Sequence, residues 1–115
     1  MVPKSPFWLE DGMSPNMFTD GKAGMVIAER KGSLHSEVTS LTAWLRGPLA
    51  AEMDKMTKTD AIRSVIESVE KLRPSAKKQL EPVAYHSWFQ HPFSEGDWAI
   101  WGPGQIRKFA KNVAI

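Results

Sequence analysis

Residues 37–45, EVTSLTAWL, alternate between two sets of side chains and therefore predict a β-strand. One predicted face carries Val38, Ser40, Thr42 and Trp44, and the other carries Thr39, Leu41, Ala43 and Leu45. The preceding run, Met25–Arg30, is also a plausible strand, and the turn-forming string Lys31-Gly32-Ser33 follows it. Two strands this close along the chain predict a β-hairpin.

The hairpin is followed by a switch to helix. Gly47-Pro48 begins a short helix, because proline is preorganised for a first helical position. Leu49, Met53 and Met56 give this helix an apolar side.

A second helix is predicted from Thr57, the candidate N-cap, to the residues before Pro74. Asp60, three residues after Thr57, completes a short-armed capping box. The apolar positions recur at spacings of three and four, which predicts one buried face made of Ile62, Val65, Ile66, Val69 and Leu72.

The remaining segments are less regular. Residues 1–24 predict loops with one short extended piece at 17–19, residues 80–88 predict a strand, and residues 106–113 predict a final short helix. We therefore expect a single α+β domain: a small, mainly antiparallel or mixed sheet of about three to five strands, with two to three helices packed on one side.

Composition narrows the function classes. The 115 residues include 15 basic and 13 acidic side chains, and a net charge of +2 is too small to indicate nucleic-acid binding. The absence of cysteine excludes a disulfide framework, a thiolate metal site and a cysteine nucleophile. No apolar run reaches the roughly 18 residues of a membrane span, and residues 1–8 do not resemble a signal peptide. We expect a soluble, cytoplasmic protein without a membrane partner.

The densest aromatic stretch is residues 88–109, WFQHPFSEGDWAIWGPGQIRKF, with three of the five tryptophans of the chain. Aromatic rings at this density are costly to expose and difficult to bury together. The stretch therefore predicts a surface that holds a flat ligand.

Five pieces of the sequence, taken in order, resemble the substrate domain of the flavin-dependent amine oxidases, the monoamine oxidase family. They are Pro6-Phe7-Trp8 with Asp11-Gly12, Phe18-Thr19-Asp20-Gly21, residues 41–47, Tyr85-His86-Ser87-Trp88 with Pro92-Phe93-Ser94 and Gly96, and Gly102-Pro103-Gly104-Gln105. The resemblance covers nearly the whole chain. It implies the α+β fold of that family's substrate-binding domain.

The same resemblance implies that the chain is a part of a larger flavoenzyme. The glycine-rich turn that binds the dinucleotide in the family is missing here, and Pro103 removes a backbone donor from the glycine-dense string 102–104. The opening and closing residues also have the character of a cut chain, and the family's flavin-water lysine would lie upstream of Met1. We expect the cofactor, FAD, to be held mainly by an FAD-binding remainder, and this chain alone to be inactive.

The resemblance also implies a chemistry and two site residues. In the family, a hydride passes from the carbon beside the substrate amine to the flavin, and oxygen then reoxidises the flavin to give hydrogen peroxide. Trp88 matches the tryptophan beside the flavin, and Trp98 matches one wall of the aromatic cage around the amine substrate. Asp97 falls where some members carry the cysteine that links to the flavin, so the FAD is expected to be non-covalent.

Other interpretations of these residues stay open. Trp88 could be a core residue at the end of a strand, and Trp98 and Trp101 cannot both face one side of a strand. His86 and His91 lack a third ligand and the spacing of a metal site, so no metal is predicted, and Ser87 has no hydrolase motif around it. The alternative function is a small non-catalytic α+β module that binds a partner protein or ligand through the aromatic stretch. For the isolated chain we expect exposed apolar surface and self-association.

Overall fold

The structure, a computed structural model, describes residues 1–34, 37–94 and 103–105. Its elements in chain order are β1 (Val2–Pro3), α1 (Phe7–Glu10), β2 (Met17–Phe18), β3 (Met25–Arg30), β4 (Val38–Trp44), α2 (Gly47–Met53), α3 (Lys58–Leu72), a short 3-10 helix (Pro74–Ala76) and β5 (Leu80–Glu81). All strand pairs are antiparallel and form two sheets, one of order β2-β3-β4 and one of β1 with β5. The α+β prediction is confirmed, but the strands divide between two small sheets.

The predicted hairpin of β3 and β4 is present, with one irregularity in its register. Arg30 lies opposite Val38 and Glu29 lies opposite Ser40, so Thr39 is an extra residue in β4. This β-bulge moves Val38 to the core side of the sheet, together with Leu41 and Ala43. The prediction that Val38 shares a face with Ser40, Thr42 and Trp44 is wrong, because strict alternation ends at a bulge.

The start of β3 approaches β4 closely at a glycine. Gly24 has a φ of +59°, and a Cβ atom at this position would lie 2.7 Å from the backbone oxygen of Trp44. Both the left-handed conformation and the lack of space require glycine there.

The two sheets are connected at β1. The Leu41 N–H donates to the carbonyl of Met1 at 2.8 Å, and Lys4 N–H donates to the carbonyl of Gln79 at 2.8 Å. The predicted strand over 80–88 is wrong beyond Glu81. Pro82 has no N–H to continue a ladder, and residues 82–87 have no regular secondary structure.

The two predicted helices are present. α2 begins at Gly47 with Pro48 in its first turn and ends at Met53, three residues short of Met56. α3 is capped at Thr57, whose Oγ1 accepts a hydrogen bond from Asp60 N–H at 3.1 Å. Pro74 follows its end and begins the 3-10 helix. Of the predicted apolar face of α3, Val69 is buried, Ile62, Val65 and Ile66 are half-buried, and Leu72 is exposed.

The N-terminal region contributes more than the predicted loops. Its short extended piece is confirmed as β2, but α1 was not predicted and buries both Phe7 and Trp8, whose rings meet edge to face at 5.1 Å. These two rings belong to a core cluster that also contains Met17, Ala23, Val26, Leu41, Val69, Ala76 and Leu80. Four residues are too few to show a helical period, which is why the sequence pattern did not indicate α1.

In the described part of the chain, no helix has the length and apolar character needed to cross a bilayer. The helix predicted over 106–113 lies outside the described residues, as does most of the aromatic stretch after residue 94. Within residues 103–105, Gly104 has a φ of +78°, a left-handed conformation that favours glycine.

Candidate ligand groove

A groove of about 990 Å3 lies between β4, the helices α2 and α3, and the extended segment 82–89. Apolar side chains from three elements line it, namely Trp44, Ala50, Met53, Ile62 and Val65. Residues 82–89 supply the opposite wall, which contains Tyr85 and Trp88. This volume is at the upper end of those typical of small-molecule sites, and an apolar lining with few polar groups is their usual character.

Trp88 lies at this groove and remains 55% exposed, whereas Trp8 in the core is 1% exposed. The interpretation of Trp88 as a core residue is therefore wrong. The strand ends at Glu81, and segment 82–89 lies on the surface of α2 without another described element over it. Trp88 is therefore exposed. An exposed indole face next to an apolar groove can contact a flat ligand.

The imidazole rings of His86 and His91 lie next to the indole ring of Trp88. The His86 ring meets it edge to face with centroids 4.4 Å apart, and the His91 ring lies 5.9 Å away. The Phe93 ring, 5.8 Å from His91, extends this cluster toward solvent. These ring contacts lie beside an indole that is otherwise exposed.

The segment that carries Trp88 is attached to α2 through Asp54, the C-cap residue of that helix. The Tyr85 hydroxyl donates to Asp54 Oδ1 at 3.3 Å, and the Ser87 hydroxyl donates to Oδ2 at 2.9 Å. Gln90 Nε2 donates to the backbone carbonyl of Asp54 at 3.1 Å. The half-buried carboxylate thus accepts two hydroxyl hydrogen bonds from the groove wall.

The contact with Asp54 also affects the ionisation of Tyr85. Burial raises the pKa of the Tyr85 hydroxyl above its ordinary value, and the negative charge of Asp54 and the hydrogen bond to it raise it further. At neutral pH, Tyr85 is therefore a hydrogen-bond donor and not a nucleophile or base.

The other end of α2 carries a positive charge. The Arg46 guanidinium lies 5.5 Å from the centroid of the Trp44 ring, which is a cation–π geometry. Because α2 has seven residues, Arg46 and Asp54 flank it at a separation of about 12 Å along its axis. Both charged residues line the groove, together with the apolar side chains of α2 and α3.

The described residues do not support the other chemistries considered for this stretch. His86 and His91 are near one another, but the described residues contain no group of three or more potential metal-ligand side chains. The Ser87 hydroxyl donates its hydrogen bond to Asp54 Oδ2. Trp98, Trp101 and Asp97 lie outside the described residues, so the predicted substrate cage is not described.

Sequence reasoning identified Trp88 but missed Asp54 and Tyr85 as parts of its surroundings. Tyr85 and Ser87 are two residues apart, so in an extended segment they point to the same side. That periodicity was visible, but their acceptor lies 31 and 33 positions earlier in the chain, and no local pattern indicates it.

The residues present fit one part of FAD and not the rest. The exposed Trp88 ring and the apolar groove suit a flat heterocycle such as the flavin ring. A pyrophosphate requires a glycine-rich turn at a helix N-terminus, and the described residues carry no such turn. This chain would therefore offer Trp88 and the apolar groove to the ring system.

Comparison with known proteins does not assign a family. The chain matches no protein-family model, and searches of curated proteins and of solved structures return no significant similarity.

Proposed function

We propose that this chain is the substrate-binding portion of an FAD-dependent amine oxidase, with Trp88 beside the flavin. The single observation that carries the proposal is the exposure of Trp88 at the edge of an apolar groove. A tryptophan with only a structural role is normally covered, as Trp8 is. A tryptophan that forms one wall of a cofactor site is uncovered in the absence of the remaining walls.

Two further features support this role. The ordered resemblance of five sequence pieces to the family covers nearly the whole chain, and in that resemblance Trp88 matches the flavin-facing tryptophan. The groove has a mainly apolar lining, and an apolar site is the environment in which hydride transfer from an amine to a flavin is protected from side reactions. Trp98 remains the proposed wall of the amine cage, and the FAD is proposed to be non-covalent.

The test uses the protein expressed from its complete reading frame, with peroxide release measured across a panel of aromatic amines, polyamines and amino acids. We expect amine-dependent peroxide release, and a loss of at least about tenfold in Trp88→Ala, because a misplaced flavin wall costs positioning. Phe18→Ala is the matched control, since Phe18 is also an exposed aromatic but lies outside the groove. Equal rates in both variants would contradict the role of Trp88, and no peroxide with any amine would contradict the function.

A second candidate is a non-catalytic binding module, and one observation favours it. The groove is formed entirely by residues of this chain, so a ligand or partner could bind without another domain. Exposed Phe89 and Phe93 beside Trp88 resemble the aromatic anchors of binding surfaces. A protein that binds no flavin but shows saturable ligand-induced NMR shifts in residues 82–89 would favour this candidate over the oxidase.

A further inference from the structure

Segment 82–90 is joined to the rest of the described protein at one residue. Its hydrogen bonds to another element all reach Asp54, two at the carboxylate and one at the backbone carbonyl. The remaining bonds are local: Gln90 N–H donates to the Ser87 hydroxyl at 3.2 Å, and His91 N–H donates to the Trp88 carbonyl at 3.3 Å. In the described ranges, no backbone–backbone hydrogen bond ties this segment to a neighbouring strand or helix.

The chemistry of a carboxylate suits this attachment. One carboxylate has two oxygen atoms and about four lone-pair sites, so it accepts from both hydroxyls at once. Hydrogen bonds to a charged acceptor are stronger than neutral ones, and of the two the Ser87 bond at 2.9 Å is shorter than the Tyr85 bond at 3.3 Å. Within the described residues, Asp54 has no ion pair with lysine or arginine, so its charge is directed at Tyr85 and Ser87.

We propose that Asp54 is a positioning residue for Trp88: by holding Tyr85 and Ser87 against the C-terminal end of α2, it fixes the orientation of the indole ring at the groove. Ser87 is the direct neighbour of Trp88 in the chain, so a shift of the Ser87 backbone also shifts the indole ring of Trp88. This proposal rests on the proposed function in one respect: the flavin proposed above is the ligand that Trp88 would contact. The attachment itself can be tested without flavin.

The first test uses Tyr85, which is the only tyrosine in the chain. The absorbance of tyrosinate therefore reports the titration of this one hydroxyl. In Asp54→Asn, we expect the titration midpoint to move down, toward the ordinary tyrosine value of about 10, because the negative charge is removed and the amide oxygen is a weaker acceptor than a carboxylate. Glu67→Gln is the matched control, because it removes one negative charge from the exposed face of α3 and should leave the midpoint unchanged.

The second test follows the orientation of Trp88 itself. Fluorine NMR of the chain labelled with 5-fluorotryptophan gives one signal for each of the five tryptophans, and Trp88→Phe assigns the signal of interest. We expect the Trp88 signal to shift and to change width in Asp54→Ala, while the Trp8 signal, from the core, stays in place. A role of Asp54 in overall stability alone would lower the midpoint of unfolding without moving the Trp88 signal of the folded protein.

Milder variants keep the proposal testable if Asp54→Ala does not fold. Tyr85→Phe and Ser87→Ala each remove one donor, and each should move the Trp88 signal in the same direction as Asp54→Asn. An unchanged Trp88 signal in folded Asp54→Asn would overturn the proposal, whether or not the Tyr85 midpoint moves. If the attachment is confirmed and flavin binding is absent, the proposed function fails while the role of Asp54 stands.

Discussion

Tyr85 donates a hydrogen bond of 3.3 Å to Asp54 Oδ1, and the two residues lie 31 positions apart in the sequence. This contact joins the wall of the groove to the end of α2, and the resulting environment raises the pKa of the tyrosine. Segment 82–90 is consequently ordered by side-chain contacts to one helix end and not by a β-ladder.

Alkaline pH should weaken the folded state through Tyr85. Since the pKa of Tyr85 is raised in the folded protein, burial being the main cause and Asp54 the second, the folded state holds this proton more tightly than the unfolded state. The contribution of the protonated Tyr85 to stability is fully present below about pH 10, which is the pKa of tyrosine in the unfolded state. This contribution is lost as the pH rises through the pKa of Tyr85 in the folded state.

Urea unfolding of the wild type and of Tyr85→Phe, measured between about pH 8 and pH 11, checks this sign. We expect the free energy of unfolding of the wild type to fall more steeply than that of the variant above about pH 10. Parallel curves would show that the hydroxyl has the same pKa in both states.

Two valines provide a matched comparison of core and surface. Val26 is fully buried on β3, whereas Val83 is exposed in segment 82–90. Val26→Ala should lower the free energy of unfolding by about 2 kcal/mol, because two buried methyl equivalents and their packing are lost. Val83→Ala should stay within about 0.5 kcal/mol of the wild type. Similar losses from both changes, measured by urea denaturation, would mean that segment 82–90 is covered in solution.

The N-cap of α3 can be tested with two threonines of the same turn. Thr57 Oγ1 accepts from Asp60 N–H, while Thr59 is exposed one residue inside the helix. Thr57→Ala should cost about 1 kcal/mol of stability, because an orphan backbone donor loses its partner. Thr59→Ala should be neutral within about 0.5 kcal/mol, since alanine has a higher helix propensity. Thermal unfolding that ranks the two variants in the opposite order would contradict the cap.

The isolated chain should self-associate through two exposed aromatic side chains near Trp88, Phe89 in the groove wall and Phe93 beyond it. Phe93 is 91% exposed and Phe89 is 68% exposed, and burying such rings on association is favourable by about 25 cal/mol per Å2. Sedimentation velocity should show a concentration-dependent mixture for the wild type and a smaller species for the double change Phe89→Ser with Phe93→Ser. Phe18→Ser, at an exposed aromatic on β2, is the control. A sharp wild-type monomer that fails to bind a hydrophobic dye would contradict self-association.

The features that could be predicted from the sequence are those whose signal is local. Thr57 and Asp60 are three residues apart, so their capping contact is visible in the sequence, and Gly47-Pro48 likewise indicates the start of α2. Val38 was assigned to the wrong face because the bulge at Thr39 depends on the register with β3, which is a property of two strands.

The candidate site also has features with a local sequence signal and features without one. The aromatic density around Trp88 is a local property, and the surface for a flat ligand that it indicates stays a prediction. Two features set the attachment of that surface to Asp54: hydrogen bonds between residues more than 30 positions apart, and the end of β5 at Glu81, before Pro82. A correct prediction therefore needed the tertiary fold. The strand predicted over 80–88 failed for this reason, because an apolar, extended segment has no ladder unless a partner strand lies beside it.

The central claim is that this chain forms one part of a flavin site, and the absorption spectrum of the protein expressed from its complete reading frame tests it most directly. We expect a flavin spectrum in the native protein, and after denaturation and filtration we expect all of the flavin in the filtrate, because Asp97 cannot form the covalent link. Flavin retained with the denatured chain would contradict non-covalent binding. A colourless purified protein that does not take up added FAD would contradict the assignment of Trp88 to a flavin site.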